Sequence, residues 1–193
     1  MEKPTINNNT IWNDGAKYGL ILGVFTSLFT FSSILTGPLS QGGAGLRVLA
    51  VALNAGLWLV KFLGCLWILR FFMLKFSMSY SHVTNKNTYR LGMVMAASSA
   101  LIVSAVQLLN ITVISPEIVD TAVATSKEMM QSLGSASESE MIALDRIVSK
   151  MPMISFFTSF FYCLIYGIAA SAIFSSSIPP KDIFAENDGE DNQ

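Results

Sequence analysis

The sequence predicts an all-α integral membrane four-helix bundle, with an amphipathic helical hairpin between the third and fourth membrane spans. Two observations lead to this prediction. Charged residues make up 13% of the 193 residues, against roughly 25% in soluble domains, and the mean hydropathy is +0.52. Four apolar runs are each long enough to cross a hydrocarbon core about 30 Å thick, and they cover residues 16–36, 48–73, 91–114 and 154–174.

Each of these runs is expected to be a helix, because in lipid every backbone hydrogen bond must close within its own segment. One such run could be a buried helix of a soluble protein, but four of them favour a bilayer. The first run is longer than the apolar part of a signal peptide, which has about 7–15 residues. No Ala-x-Ala cleavage site follows it. We therefore interpret it as an uncleaved span.

Residues 115–152, between the third and fourth spans, have the pattern of an amphipathic helical hairpin. Ser-Pro-Glu at 115–117 is typical of a helix start, and Gly134 of a helix end. Residues 137–140 form a capping box for a second helix, which stops before Pro152. The hairpin is interpreted either as a lid on the bundle or as a docking surface. Apolar residues at helical spacing give each arm one face: Ile118, Val119, Ala122, Val123, Met129, Met130 and Leu133, then Met141, Leu144, Val148 and Met151.

The polar ends of the chain frame this membrane domain, which covers residues 16–178. Residues 1–15 are predicted to be a loose cytoplasmic leader, and the acidic residues 179–193 a disordered tail. Lysines and arginines near span ends favour the cytoplasm, so both termini are predicted to be cytoplasmic, in a bacterial inner membrane. With four spans, the termini share a face with Lys3, Lys17, Arg70, Lys75, Lys86, Arg90 and Lys181, against Arg47, Lys127, Arg146 and Lys150 on the other.

Small residues recur every four positions in three of the spans, and residues four apart share a helix face. In lipid, close backbone approach through small residues drives helix packing. The pattern therefore predicts a compact bundle, with homodimerisation through the first span as the alternative. The small residues are Gly15, Gly19, Gly23 and Ser27, then Gly92, Ala96, Ala100 and Ser104, then Ser155, Ser159, Cys163, Gly167, Ser171 and Ser175.

Lys61 is the one charged residue well inside a predicted span. By helix rise it lies roughly 21 Å from Arg47 and about 14 Å from Arg70. No Asp or Glu occurs between residues 15 and 116 or within 154–174, so its partners are expected to be neutral. We interpret these partners as a structural polar spine, with a functional polar site as the alternative. The predicted spine consists of Asn54, Lys61, Ser98, Ser99, Gln107, Asn110 and Tyr166.

No catalytic constellation is found in the sequence. Phosphate loops, H-E-x-x-H, C-x-x-C and G-x-S-x-G are all missing, and His82 alone does not make a metal site. Counting from the span ends places Cys65 and Cys163 about 12 Å apart along the membrane normal, too far for a disulfide. The net charge of −1 gives no basic surface for nucleic acid. We expect no enzyme, no cofactor and no metal.

Several short motifs follow one another in a recognisable order: Lys-Tyr-Gly-Leu-Ile-Leu-Gly at 17–23, Tyr-Arg-Leu-Gly at 89–92, Ile-Ser-Pro-Glu at 114–117, Glu-Met-Met at 128–130 and Ile-Pro-Pro-Lys at 178–181. In these motifs and their spacing the chain resembles the bacterial membrane proteins of domain-of-unknown-function family 4199 (DUF4199), over about residues 16–181. The resemblance implies a four-span inner-membrane protein. It supplies no activity, catalytic residue or ligand.

Taken together, these patterns favour a non-enzymatic accessory or scaffold protein. Its expected contacts are the lipid bilayer and either a membrane or periplasmic protein partner or a second copy of the chain. The alternative is a small transporter or channel subunit with a polar path around Lys61. Co-purification of a partner in mild detergent would favour the first function, and a liposome flux that Lys61→Met abolishes would favour the second.

Overall fold

The computed structural model describes residues 6–31, 43–132 and 138–178, and within them the chain is helical with no strand. Residues 1–5 of the predicted leader, the hairpin turn with Gly134, and the predicted tail at 179–193 lie outside the described part. The helices are α1 (Asn8–Leu28, extended by a 3-10 turn at Phe29–Phe31), α2 (Ala44–Ser79), α3 (Asn85–Leu109, extended by a π-helical turn at Asn110–Ile114), α4 (Glu117–Ser132) and α5 (Glu138–Ser177).

Three helices in this described part are long and apolar enough to cross a membrane. They are α2, α3 with its π-helical turn, and Arg146–Ser177 of α5. The predicted first span coincides only in part with α1, because its residues 32–36 lie outside the described part. The described length of α1 also carries Asp14 and Lys17 among its apolar residues.

The first helix begins earlier than the sequence pattern predicts. Asn7 has an extended backbone, and its carbonyl oxygen accepts hydrogen bonds from the amides of Thr10 and Ile11. Asparagine is a favoured residue at this position before a helix. The helix therefore starts at Asn8, and the residues from there to 15, predicted as loose, form its first two turns.

The last helix passes through Pro152 without a break, which corrects the predicted hairpin. The first arm exists as α4, which contacts α5, but the second arm and the fourth span are one 40-residue helix. A proline removes one amide donor and leaves only the carbonyl of Val148 without its usual partner. The helix continues on both sides of this position. At 1.5 Å per residue the helix is about 60 Å long, so it projects well beyond a hydrocarbon core.

The predicted apolar faces of the hairpin are described only in part. In α4, Val123 is half-buried and Met129 is exposed, and in α5, Val148 is half-buried while Met151 is at the border of exposure. The side chains at 118, 119, 122, 130, 133, 141 and 144 lie outside the described part. The described side chains therefore give little sign of a lid that packs tightly on the bundle.

The third helix is the centre of the fold, with α1 on one side and α5 on the other. The small-residue stripes face each other at these two contacts. A Cβ atom on Gly19 would lie 2.6 Å from the carbonyl oxygen of Met95, and one on Gly167 would lie 2.5 Å from the Cβ of Ala96. Backbones this close have no room for larger side chains. The stripes thus hold α1 and α5 against α3 within one chain.

The second helix packs against the bundle over only half of its length. Near its C-terminal end, Leu69, Met73 and Phe76 are buried in an apolar cluster that also holds residues from the starts of α1 and α3. We call this the basal end. Toward its N-terminus α2 is open, and the side chains of Val48 and Val51 are each 70% exposed. The second helix therefore diverges from the bundle toward the opposite, distal end.

A hydrogen bond between α1 and the end of α2 holds the basal end together. The Tyr80 hydroxyl donates to Oδ2 of Asp14 at 2.8 Å. Burial, then the hydrogen bond and the charge of Asp14, raise the pKa of Tyr80 to about 12. We expect Tyr80→Phe to lower the free energy of unfolding by about 1–2 kcal/mol at pH 8, as measured by thermal unfolding in detergent.

The same bond should depend on pH in a defined direction. In the unfolded chain Tyr80 ionises near the ordinary value of about 10, whereas in the folded protein it stays protonated to higher pH. Its contribution is thus complete below pH 10 and is lost as the pH rises toward 12. The stability difference between wild type and Tyr80→Phe should shrink over that range. A stability difference that stays constant between pH 10 and 12 would contradict the hydrogen bond between Tyr80 and Asp14.

Candidate functional site

A cavity of about 200 Å³ lies where α2 diverges from the rest of the bundle. Its walls come from α1, α2, α3 and α5, and its floor is the buried cluster of the basal end, of which Leu69 forms part. Apolar surface makes most of the lining, and a few polar groups converge on it. These polar groups include Thr26, Lys61, Cys65, Ser99, Gln107 and Tyr166.

Four of the seven residues of the predicted polar spine line this cavity, namely Lys61, Ser99, Gln107 and Tyr166. They come from three helices that are far apart in sequence. Ser99 is buried, and the other three are half-buried. The sequence therefore identified the centre of the cavity, with Lys61 from α2 facing groups of α3 and α5.

The remaining three predicted residues lie elsewhere. Ser98 points to the contact with α1, where its Cβ is 2.8 Å from the place a Gly19 Cβ would take. Asn54 is exposed, on the diverging half of α2. Asn110 is buried in the π-helical turn, and its Oδ1 atom has no hydrogen-bond partner among the described residues. Neighbours such as Ser98 and Ser99 face about 100° apart on a helix, so only one of these two reaches the cavity.

The Lys61 side chain is half-buried and faces the cavity. Over residues 6–31, 43–132 and 138–178, no carboxylate or other acceptor is seen bonded to its ammonium group. The thiols of Cys65 and Cys163 line the same cavity. No acid occurs in the sequence between residues 15 and 116, so α2 and α3 offer no carboxylate to it, and Asp14 of α1 is bonded to Tyr80 at the basal end.

Tyr166 supplies the second polar group of interest. Its ring packs against Phe62, with 5.4 Å between ring centroids. Its hydroxyl is buried and has no hydrogen-bond partner among the described residues. A buried hydroxyl without a partner lowers stability by about 1–3 kcal/mol. The side chain of Tyr166 thus lines the cavity that Lys61 also faces, and its unpaired hydroxyl lowers stability.

A substitution at Tyr166 tests whether its hydroxyl lacks a hydrogen-bond partner. We expect Tyr166→Phe to raise the free energy of unfolding of ligand-free protein by about 1 kcal/mol, because it removes the unpaired hydroxyl and keeps the ring. Thermal unfolding in delipidating detergent measures the change. Tyr162→Phe, at a largely exposed position four residues earlier, is the control and should leave stability unchanged. A loss of stability in Tyr166→Phe would show that the hydroxyl is already bonded.

Both cysteines line the cavity. The sequence prediction that they do not form a disulfide is confirmed. The Thr26 hydroxyl donates to the Leu22 carbonyl at 2.7 Å, so the Cys65 thiol is the donor in its 3.2 Å contact with Thr26. Both thiols are free.

Some lining residues were missed by the sequence reasoning. These are Trp58 and Phe62 of α2, and Ser159 and Tyr162 of α5. Residues three and four apart lie on one helix face. One turn from Lys61 would have found Trp58, whereas Phe62 gave no such signal. One and two turns from Tyr166 would have found Tyr162 and Ser159.

The cavity reaches the surface of the described bundle between α2 and α5. Trp58 and Tyr162 stand at its rim, and their side chains are 56% and 67% exposed. Their outward faces continue the apolar surfaces of α2 and α5. In a membrane these surfaces contact acyl chains, so the cavity is a cleft with a lateral opening to the bilayer.

The lining of this cleft combines one cation with uncharged polar groups and apolar walls. The hydroxyl and amide groups can both donate and accept hydrogen bonds. No group of three or more His, Cys, Asp or Glu that could hold a metal ion occurs in the described ranges. A ligand that accepts hydrogen bonds and carries an apolar part fits this lining.

Comparison with known proteins gives one match. The model of a family described as "Protein of unknown function (DUF4199)" matches residues 17–176. No curated protein and no solved structure matches the chain. The matched region includes every residue that lines the cleft.

Proposed function

Because the chain belongs to the DUF4199 family, whose function is unknown, we propose a function from the geometry of its cleft. The protein is a non-enzymatic, accessory integral membrane protein that takes a ligand from the bilayer through the lateral opening between α2 and α5. The observation behind this proposal is Lys61, a cation with no bonded carboxylate among the described residues, in a cavity between two membrane-spanning helices. An ionisable group at such depth is expensive and is typical of functional sites.

The proposed topology has four spans, with α1 and the residues after it as the first. Both termini lie in the cytoplasm of a bacterial inner membrane, as the distribution of lysine and arginine favours. Reporter fusions at the two termini, one active only in the cytoplasm and one only outside it, test this arrangement. Activity of the external reporter at either terminus would overturn it.

Binding is favoured over the transporter alternative by the shape of the cleft. A transport path needs polar lining or a water-filled cavity that reaches both faces. Below Leu69 the described bundle is filled by Met73 and Phe76, which are fully buried. The cleft thus ends at the basal core. A liposome flux that Lys61→Met abolishes would reverse this preference.

The fluorescence of Trp58 tests the proposed function directly. In a variant with Trp12→Phe and Trp67→Phe, Trp58 at the rim is the single tryptophan. The protein is placed in vesicles that contain a small mole fraction of one bromine-labelled amphiphile, which is anionic, neutral or cationic. We expect at least one of them to quench Trp58 more strongly than its bulk concentration explains.

A matched control keeps Trp67 instead, with Trp12→Phe and Trp58→Phe. Trp67 lies on the same helix and is 68% exposed, but it does not line the cleft. It reports bulk lipid alone. If every amphiphile quenches Trp58 and Trp67 equally, the cleft binds none of them and the proposed function is wrong. Chemical conversion of a bound amphiphile, detected by mass spectrometry, would show an enzyme instead.

A further inference from the structure

The geometry points to a single-chain carboxylic acid, a fatty acid, as the ligand of the cleft. This inference rests on the proposed function and names its ligand class. The carboxylate lies against Lys61, and the acyl chain leaves through the opening between Trp58 and Tyr162. Charge, hydrogen-bond capacity, depth and volume each support one part of this assignment.

The charge of the cleft requires a negative ligand. Lys61 has no bonded acid among the described residues, and the sequence places no Asp or Glu between residues 15 and 116 or within 154–174. An unpaired charge in an apolar surrounding is strongly unfavourable, whereas a hydrogen-bonded pair is tolerated. The missing negative charge must then come from the ligand.

The hydrogen-bond groups of the cleft fit a carboxylate headgroup. An ionised carboxyl accepts hydrogen bonds at two oxygens and donates none. The ammonium of Lys61 supplies donors, and the buried hydroxyl of Tyr166 has no partner among the described residues. The amide of Gln107 also lines the cavity. These groups complement an acceptor, and a carboxylate beside them would satisfy Tyr166.

The depth of Lys61 favours a carboxylic acid over a phosphate. Lys61 lies near the middle of the 36-residue α2, far from either end, where a permanent charge is costly. A carboxylic acid is neutral when protonated and can reach this depth through hydrocarbon, whereas a phosphodiester remains charged. Beside Lys61 the carboxylate and the ammonium form a pair without net charge.

The volume of the cavity limits what can enter. About 200 Å³ is less than the roughly 300–1,000 Å³ of pockets that enclose whole drug-sized ligands. It holds a carboxyl group and the first methylenes but not a glycerol with two chains. The rest of a single chain can lie along the exposed apolar surfaces of α2 and α5, as an annular lipid does.

The test compares three bromine-labelled probes in phosphatidylcholine vesicles that contain the Trp58-only protein. They are dibromostearic acid, its methyl ester and a dibromostearoyl phosphatidylcholine. The acid should quench Trp58 at roughly one-tenth of the mole fraction that the ester requires, a tenfold difference in affinity. Equal quenching by acid and ester would overturn the carboxylate assignment while leaving a membrane ligand in place. Stronger quenching by the phosphatidylcholine would name a phospholipid instead.

Variants then test the role of Lys61. Lys61→Met should remove the preference for the acid over the ester, and Lys61→Arg should retain it. Lys75→Met is the matched control, because Lys75 lies on the same helix near the ring of Tyr18 and not at the cleft. It should behave as wild type.

Tyr166→Phe provides a second variant whose folding does not depend on a charge change. It should weaken quenching by the acid a few-fold and leave quenching by the ester unchanged. An acid preference that survives both Lys61→Met and Tyr166→Phe would overturn the inference. The comparison of acid and ester in wild type does not depend on any variant's folding. If every probe quenches Trp58 and Trp67 equally, the proposed function is wrong as well.

Discussion

Gly19→Ile is expected to lower the free energy of unfolding by about 3 kcal/mol or more, the largest loss predicted for a single substitution in this chain. A Cβ at position 19 would lie 2.6 Å from the carbonyl oxygen of Met95 and 2.8 Å from the Cβ of Ser98. The first of these is backbone of α3, which cannot turn away as a side chain can. Either α1 moves off α3 or the helix bends.

The control is Gly56→Ile, another glycine in a membrane helix. A Cβ there has nothing within 4 Å, because α2 has already left the bundle at this level. Its effect should stay within about 0.5 kcal/mol. Unfolding by heat in mild detergent, followed by helical circular dichroism, measures both variants. Equal losses at the two positions would mean that α1 is not seated on α3 through its glycines.

Helix faces could be predicted from the sequence, because residues three and four apart lie on the same face of any α-helix. The recurrence of Gly15, Gly19 and Gly23 places all three on one side of α1, whatever α1 packs against. The same rule placed Gly167 and Ser171 on one face of α5. These residues meet α3 in the structure, as an intramolecular bundle requires.

The divergence of α2 could not be predicted in this way, although a hint was present. The second span has no stripe of small residues, and its first half carries bulky side chains such as Val48, Val51 and Trp58. Such residues prevent close backbone approach. Whether they are accommodated by a wider contact or by an open cleft depends on the balance of all helix contacts, which no local pattern contains.

The ends of the helices could not be predicted from the apolar runs alone. The sequence places a helix end before Pro152, whereas α5 continues through this residue. Rotation about the helix axis also decides which residues meet, since Ser99 lines the cleft while Ser98 faces α1.

Lys61→Met should raise the stability of the ligand-free protein, by up to about 3 kcal/mol. The structural spine hypothesis predicts the opposite, because removing a bonded lysine would leave its partners unpaired. In the structure, however, no described residue is seen bonded to the ammonium. The lysine therefore contributes its desolvation penalty without a compensating bond. Charged residues at a helix centre cost about 2.5–3.5 kcal/mol on insertion scales, and methionine fills a similar volume with an apolar chain.

Measurement of this effect needs protein freed of endogenous amphiphiles, because a bound carboxylate would pair with Lys61 and hide the penalty. Thermal unfolding after extensive detergent exchange supplies the ligand-free value. Lys75→Met, near the basal surface, should change little or lose about 0.5 kcal/mol with its contact to Tyr18.

Addition of fatty acid should then stabilise wild type in proportion to its occupancy and leave Lys61→Met unchanged. The difference between the unfolding midpoints of the two proteins should therefore shrink or change sign. A Lys61→Met protein that is less stable than wild type in both conditions would establish the spine. In that case Lys61 stabilises the fold, and the cleft would need another explanation. A more stable variant that no longer responds to fatty acid would show that the cation is kept for its ligand at the expense of stability.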